Sequence, residues 1–323
     1  MRNIGVLTSG GDSPGMNAAI RAVCRTAFYQ GVRVFGIYDG YQGLIEKNII
    51  ELQSTDVENI IHRGGTILGT ARSKEFLTHD GRKKAFDNFR SFDLDGLIVI
   101  GGDGTYNGAI VFNSEFGIPI NGLPGTIDND IFGTDSTIGY DTALNTIVNA
   151  VDKIRDTATS HHRVFFVEVM GRHAGFIGLD AGIAVGADLS LIPETPTEID
   201  ELTIYLNGVK TKKKSSIILV SEGDDGGGAI DIMNKVKAII SDLDVRTSIL
   251  GHIQRGGNPS AYDRILASRL AVQATVDLLS YNYGNAYGVQ GDKLVKNSFS
   301  SAVSQKNNID LSKLKVIEVL SKS

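Results

Sequence analysis

The amino-acid sequence predicts an α/β protein of two doubly wound lobes with mostly parallel sheets, and three observations predict it. Short β-branched runs ending in glycine recur along the chain, and they are near-continuously apolar, as expected of parallel strands covered on both faces. Segments of helix length separate them, with apolar residues at helical spacing. At 323 residues the chain exceeds the size at which a single core usually stops growing, so two domains are expected. Alternation of this kind describes Rossmann-like lobes, in which ligands bind at the carboxyl ends of the strands.

The elements follow in order. "IGVLTSGG" is the first strand and its turn. The helix after Pro14 carries Met16, Ala19, Ile20, Val23 and Ala27 on one face. At roughly 100° per residue, Arg21 and Arg25 lie about 140° and 180° around from Met16, so both are expected to face away from the core. "VRVFGIYDG", "LIVIGGDG" and "PINGLPGT" are further strands with their loops. A second helix is expected from Asp141 to Thr157, ending before "SHHR", because Leu144, Ile147, Val148, Val151 and Ile154 form one stripe. "RVFFVEVMGR", "SSIILVSEG" and "TSILGHIQRGG" continue the strand series. The basic run from Lys212 to Lys214 precedes a strand and suits a solvated turn or a binding role equally. No solenoid-length repeat or low-complexity linker is visible.

Composition narrows the partners. Hydrophobic residues at 41% and charged residues at 21% make an ordinary globular balance, which argues against disorder. A net charge of −5 argues against nucleic acid or an acidic membrane as partner, so any anion must be gripped locally. The single cysteine, Cys24, excludes an internal disulfide and fits a reducing compartment. The opening residues run straight into a strand without an apolar signal stretch, and no segment approaches 18 consecutive apolar residues, so a cytoplasmic protein is expected.

Two glycine-rich segments and one acidic segment point to phosphate chemistry. In "TSGGDSPGMN", two glycines after a strand let backbone amides approach an anion, and the helix that follows aims its positive end at the same place. A structural turn explains that segment equally well. "IGGDGTYNGA" repeats the device with Asp103 inside it, well placed to hold Mg²⁺, which takes few protein carboxylates and leaves its other positions to water and phosphate; a turn or capping aspartate is the alternative. "GTIDND" sets Asp128 and Asp130 two apart behind Thr126. Like charges this close repel unless cations collect nearby. Beside Mg²⁺ and phosphate, one carboxylate can accept a proton from an attacking hydroxyl while the other helps organise the metal. In isolation the same six residues read as a turn with ordinary exposed acids.

The later clusters are cationic: Arg163, Arg172, Arg246, His252 and Arg255 stand near strand ends, and guanidinium forks suit phosphate oxygens. Glu222 follows a strand where a sugar hydroxyl can be bound, or where a helix can be capped. His161, His162 and His173 show no zinc spacing. Neither a P-loop nor a kinase-type glycine loop with its lysine is present.

Taken together, "TSGGDSPGMNAAIRAV", "RGGTILGTAR", "IGGDGTYNGA", "GLPGTIDNDIFGTDSTIGYDTA", "VMGR" and "LGHIQRGGNPSAYDRILASR" closely resemble the bacterial ATP-dependent 6-phosphofructokinases, in the same order from residue 4 to about 290. The resemblance implies Mg²⁺-assisted transfer of the ATP γ-phosphoryl to the 1-hydroxyl of fructose 6-phosphate in glycolysis. It implies Asp128 as base, with Thr126, Asp130 and Arg172 beside it. ATP is expected at Gly11, Arg72, Ser73 and Gly102, Asp103, Gly104 and Thr105, with Asp103 on the metal. Thr126, Ile127, Asp128, Met170, Gly171, Arg172, Glu222, His252 and Arg255 are expected at the sugar phosphate, with Arg163 and Arg246 arriving from a neighbouring subunit of a homotetramer. The family's chain crosses between lobes, which implies an ATP lobe of residues 1–139 plus about 256–303 and a sugar-phosphate lobe of 140–255 plus about 304–323.

Pyrophosphate-dependent relatives usually carry an aspartate after "GGD" and a lysine before "TIDND"; Gly104 and Gly125 stand there instead, which favours ATP. A non-catalytic homologue typically loses the base or the metal acid, and Asp103, Asp128 and Asp130 are all present. The family's effector pocket for ADP or phosphoenolpyruvate is matched by Arg21, Arg25, Arg155, Gly186, Lys213 and Lys214. It is not matched at Ser54, where an arginine is common, at Thr211, which replaces a lysine, or at Asp188, which replaces a glutamate. Ser73 lies where an aromatic often packs near adenine. A weakened or altered effector response with intact catalysis is therefore expected.

Overall fold

The computed structural model describes residues 1–212 and 214–321. Lys213, one of the expected effector residues, lies outside the described residues. The chain divides into two compact units, Met1–Thr142 with Arg255–Asn307, and Ala143–Gln254 with Asn308–Ser323.

The first unit begins with β1 (Asn3–Thr8), α1 (Met16–Tyr29), β2 (Arg33–Ile37), α2 (Gly40–Glu46) and β3 (Ile49–Leu52). It continues through α3 (His79–Ser91), β4 (Gly96–Gly101), α4 (Asp103–Phe116) and β5 (Ile120–Pro124). Next comes α5 (Tyr140–His161), whose first residues belong to this unit and whose remainder belongs to the second. The second unit then adds β6 (Val164–Val169), α6 (Phe176–Ala184), β7 (Leu189–Leu191), α7 (Ile199–Thr211), β8 (Ser216–Ser221), α8 (Ala229–Ile239) and β9 (Val245–Ile249). The first unit resumes with α9 (Ala261–Leu279), β10 (Asn285–Gln290), β11 (Lys293–Ser298) and α10 (Phe299–Ser304), and α11 (Ser312–Ser321) returns to the second.

The seven strands of the first unit run β11-β10-β5-β4-β1-β2-β3. Strands β1, β2, β4, β5 and β10 pair in parallel, while β3 and β11 close the two edges antiparallel. From β1 the chain winds one way to β2 and β3 and the other way to β4 and β5, so the order reverses between β1 and β4. A crevice opens at such a reversal, beyond the carboxyl ends of the two strands. Helices cover both faces. Met16, Ala19, Ile20, Val23 and Ala27 of α1 are fully buried with α9 on one face, and Tyr106, Ala109 and Phe112 of α4 are buried on the other. Arg21 and Arg25 point out of that core, yet both are half-buried. The start of α5 is anchored by Asp263 of α9, whose buried carboxylate accepts the backbone N–H groups of Gly139 and Thr142, each at 2.8 Å.

The second sheet is all parallel in the order β7-β8-β6-β9. Its core packs Phe166, Ile218 and Val220 against Leu206 and Ile232. The expected end of α5 before "SHHR" is corrected: the helix continues to His161. Ala158 is buried and its carbonyl accepts the Arg163 N–H at 3.0 Å, so the last turn is held by packing, and the chain leaves it at His162 with φ 55°. No helix among the described residues is long and apolar enough to cross a membrane.

Candidate active site

Three loops of the first unit meet at the reversal between β1 and β4. Ser9 N–H donates to the Ile100 carbonyl at 3.0 Å, and the Thr105 hydroxyl donates to the Ser9 carbonyl at 3.0 Å. These bonds lock the Gly10–Gly11 turn against the start of α4. The Gly125 N–H donates to the Gly101 carbonyl at 3.1 Å, which draws the segment after β5 alongside the same loop. A Cβ on Gly102 would stand 3.8 Å from the Thr126 Cβ, so the Asp103 and Asp128 loops are neighbours. A fourth segment joins them: Thr8 and Thr70 hydroxyls donate to the carbonyls of Gly69 and Gly10 at 2.6 and 2.9 Å, setting residues 69–72 beside the glycine turn, with Arg72 exposed. Ser73, next in line, has its hydroxyl on Gln42 at 2.6 Å and accepts the Phe76 N–H, so it caps a local turn.

Asp103 is the first residue of α4 and is exposed, with Gly104 beside it equally open. It is not the helix cap, a place held by Gly102. The N-terminus of α4 and one carboxylate therefore stand at the same crevice, a combination that attracts both phosphate and its cation. Among the described residues no group of three metal-binding side chains occurs. A Mg²⁺ that arrives with a nucleotide asks for only one or two carboxylates, and Asp103 fits that requirement.

The 126–130 segment is not a turn with ordinary exposed acids. The Thr126 hydroxyl accepts the Asp128 N–H at 3.2 Å, the Thr137 hydroxyl donates to the Thr126 carbonyl at 2.7 Å, and Asn129, at φ 56°, accepts the Thr137 N–H at 2.9 Å. Wound in this way, Asp128 is 1% exposed and Ile127 fully buried, while Asp130 is half-buried. Burying a carboxylate is costly, and here that cost falls on a residue held at a strand end by its own turn. Arg255 also reaches the glycine turn. Its Nη1 donates to the Asp12 carbonyl at 3.0 Å and would stand 2.6 Å from a Cβ on Gly11, so position 11 must be glycine for the guanidinium to lie over the turn.

The second unit gathers another set at the carboxyl ends of β8, β6 and β9. Met170 N–H donates to Gln254 Oε1 at 3.1 Å, and Arg172 N–H donates to Glu222 Oε1 at 2.9 Å. Glu222 thus holds the "MGR" loop and caps no helix. Gly171 and Arg172 both take positive φ, 139° and 53°, and the Arg172 carbonyl would lie 1.7 Å from a Cβ on Gly223, so the two loops touch backbone to backbone. Met170 and Gly171 are buried, whereas Arg172, Glu222 and His252 are exposed around them. Gln254, fully buried and lodged inside the "GHIQRGG" motif, was missed by sequence reasoning, as was the Asp12 carbonyl.

Two expected residues are not part of that set. Arg163 precedes β6 and Arg246 is the second residue of β9, at the amino ends of the strands. The six residues of β6 separate them from Met170, about 20 Å at strand rise. They do meet each other through Asp244, whose Oδ2 takes Arg163 Nε at 2.8 Å and whose Oδ1 takes Arg246 Nη1 at 2.6 Å. Of the residues expected at the effector pocket in this unit, Arg155 donates to the carbonyls of Val185 and Gly186, and Asp188 accepts Ser216 Oγ at 3.0 Å and Ile217 N–H at 2.8 Å. Lys214 is exposed just before β8. In the first unit, Arg25 donates to the Ser54 hydroxyl at 2.7 Å and lies 3.8 Å from Glu58. Thr211 spends its hydroxyl on the Asn207 carbonyl within α7.

Comparison with known proteins identifies the chain's relatives. The phosphofructokinase family model matches residues 3–278. The chain is 54% identical over 319 residues to ATP-dependent 6-phosphofructokinase 2 of Bacteroides thetaiotaomicron, covering 98% of each chain. It is 52% identical over 322 residues to the ATP-dependent 6-phosphofructokinase of Bacillus pumilus, covering 99% of this chain and all of the relative. The structure superposes on phosphofructokinase from Saccharomyces cerevisiae with a TM-score of 0.88 and 38% identity, over 99% of this chain and 47% of that longer one. A pyrophosphate-dependent phosphofructokinase from Marinobacter aquaeolei shares the fold, with a TM-score of 0.86 at 22% identity over 97% of this chain and 86% of the other. With its glycine turns at a strand reversal, its buried aspartate and full-length relatives of this kind, the chain belongs to the phosphofructokinase family.

Proposed function

We infer that this chain is an ATP-dependent 6-phosphofructokinase, transferring the ATP γ-phosphoryl to the 1-hydroxyl of fructose 6-phosphate. The observation that carries the reading is the convergence of the Gly11, Asp103 and Asp128 loops at the carboxyl ends of β1, β4 and β5. Phosphoryl transfer asks for positioning and charge neutralisation rather than covalent chemistry, and such a crevice supplies both.

In this proposal the Gly11 turn, Arg72 and the Gly102–Thr105 loop bind ATP, and Asp103 holds Mg²⁺. The ion, when bound, neutralises charge on the phosphates. Asp128 accepts the proton of the 1-hydroxyl, Thr126 and Asp130 stand beside it, Arg172 balances charge on the transferring group, and Arg255 helps hold the sugar phosphate. Met170, Gly171, Glu222 and His252 grip the sugar. Arg163 and Arg246 serve the 6-phosphate of a neighbouring copy in a homotetramer with shared sites. Their place at the far ends of the strands from Met170 supports sharing, because one chain cannot close both sets around one small sugar phosphate. The absence of side chains at 104 and 125 favours ATP over pyrophosphate.

An effector response weaker than the family's usual one is part of the proposal. Ser54 holds Arg25 inside its own chain beside Glu58, and each missing cation removes a charge-assisted contact of roughly 1.5 to 3 kcal/mol. The deciding experiment is a coupled assay of the purified protein with fructose 6-phosphate and Mg²⁺, comparing ATP with pyrophosphate. ADP formation from ATP is expected. Turnover only with pyrophosphate, or with neither donor, would reject the reading.

A further inference from the structure

Resting on the reading of Arg163 and Arg246 as ligands of the 6-phosphate, we propose that Asp244 is a positioning residue for substrate binding. It is the shared clasp that holds both guanidiniums in one orientation. Strands β6 and β9 pair in parallel with Val164 opposite Val245 and Phe165 opposite Arg246, so the chain enters the sheet at both strands side by side. Arg163 stands just before one, Arg246 just inside the other, and Asp244 immediately before Val245. The Val164 N–H donates to the Asp244 carbonyl at 3.2 Å, which fixes the backbone of the clasp to the neighbouring strand.

Two guanidiniums brought together repel, and long side chains at a sheet end sample many rotamers. A carboxylate with one oxygen on each removes both difficulties. The contacts use Nε of Arg163 and Nη1 of Arg246, and the latter also donates to the Val245 carbonyl at 3.0 Å. The two terminal nitrogens of Arg163 and the Nε and Nη2 of Arg246 lie outside the clasp, and these suit a dianionic phosphate. The Asp244 carboxyl is held below the usual carboxylate range, first by its bond to Arg163, which outweighs the opposing effect of desolvation, and further by the charges of Arg246, Arg163 and Lys237. The ligand class is therefore a phosphate monoester, and Asp244 does not itself touch it.

The test compares steady-state kinetics of wild type, Arg163→Ser, Asp244→Ala and Asp244→Asn, with thermal unfolding of each. Arg163→Ser checks the underlying reading: an unaltered KM for fructose 6-phosphate removes that arginine from the site. Given a raised KM there, Asp244→Ala and Asp244→Asn are expected to raise KM for fructose 6-phosphate by roughly tenfold through lost pre-organisation. They should leave kcat within about twofold, KM for ATP unchanged and the unfolding midpoint close to wild type. An unchanged or lowered KM for the sugar phosphate in both variants overturns the proposal, the latter by showing that Asp244 competes with phosphate. A fall in kcat equal to that in kcat/KM overturns it too. Should Asp244→Ala not fold, the near-isosteric Asp244→Asn alone decides.

Discussion

Replacing Gly104 by aspartate should leave the fold sound and disable ATP as donor. A Cβ at position 104 meets nothing within 4 Å, and the residue is exposed in the first turn of α4. An acid there interacts favourably with the helix dipole by about 0.3–1 kcal/mol. Losing the glycine restricts the unfolded chain by roughly 0.4–1 kcal/mol more. Repulsion from the adjacent Asp103, both groups being solvated, opposes these by about 1 kcal/mol. The net lies between about −0.3 and about 1 kcal/mol in favour of folding, so the unfolding midpoint should move by no more than about 2–4 °C. Binding behaves differently. A carboxylate about 4 Å from a phosphate charge, at an effective dielectric near 20, costs about 4 kcal/mol. Allowing for solvent, kcat/KM for ATP should fall at least 10²-fold. Gly125→Lys is the contrasting control. Its Cβ would stand 2.9 Å from Ile100 Cγ2, 3.0 Å from Met16 Cε and 3.3 Å from the Gly101 nitrogen, so it overpacks the core and should cost about 1–3 kcal/mol. Differential scanning calorimetry and the coupled assay read both variants. A Gly104→Asp protein that melts many degrees lower would refute the open-space geometry, and one that keeps its ATP efficiency would remove the nucleotide from position 104.

Further outcomes are expected elsewhere. Asp128→Ser should lower kcat by on the order of 10²- to 10⁴-fold, the usual worth of a positioned base, and a small effect in the coupled assay would reassign that role. ADP or phosphoenolpyruvate should shift half-saturation by fructose 6-phosphate less than about fivefold, the low end of ordinary coupling; a strong shift in rate curves would contradict the Ser54 argument. Glu115 accepts Arg82 Nε and Nη2 at 2.7 and 2.6 Å between α4 and α3, and that bond foremost holds its carboxyl below the usual range. A lowered folded-state value means stability that is present above the ordinary carboxylate pKa and lost as pH falls through the lowered one. Glu115→Gln should therefore cost about 1 kcal/mol at pH 7, a deficit that shrinks on acidification when unfolding is followed by circular dichroism. An equal deficit at both ends of the pH range would show that packing, not charge, holds that contact.

Strands β1, β2, β4, β5, β6, β8 and β9, the glycine turns that end them and the buried face of α1 are legible in the chain because each is a local pattern: apolar runs, a breaker and a helical period. The motifs around Gly11, Asp103 and Asp128 are legible for the same reason. Strands β3, β7, β10 and β11 escaped notice. β3 and β11 are edge strands with exposed residues along them, β7 has three residues, and β10 joins β11 through a two-residue turn at Gly291 and Asp292 whose pairing partner, not composition, makes it a hairpin. Local pattern is also silent on strand order, which alone creates the reversal between β1 and β4 and so brings three distant loops together. The turn that holds the buried Asp128 is closed by Thr137 bonding back to Thr126 and Asn129, and the place of Arg163 and Arg246 depends on which end of a strand the chain enters. Such facts are long-range: side-chain chemistry is written residue by residue, but proximity between segments is decided only when strands choose their neighbours.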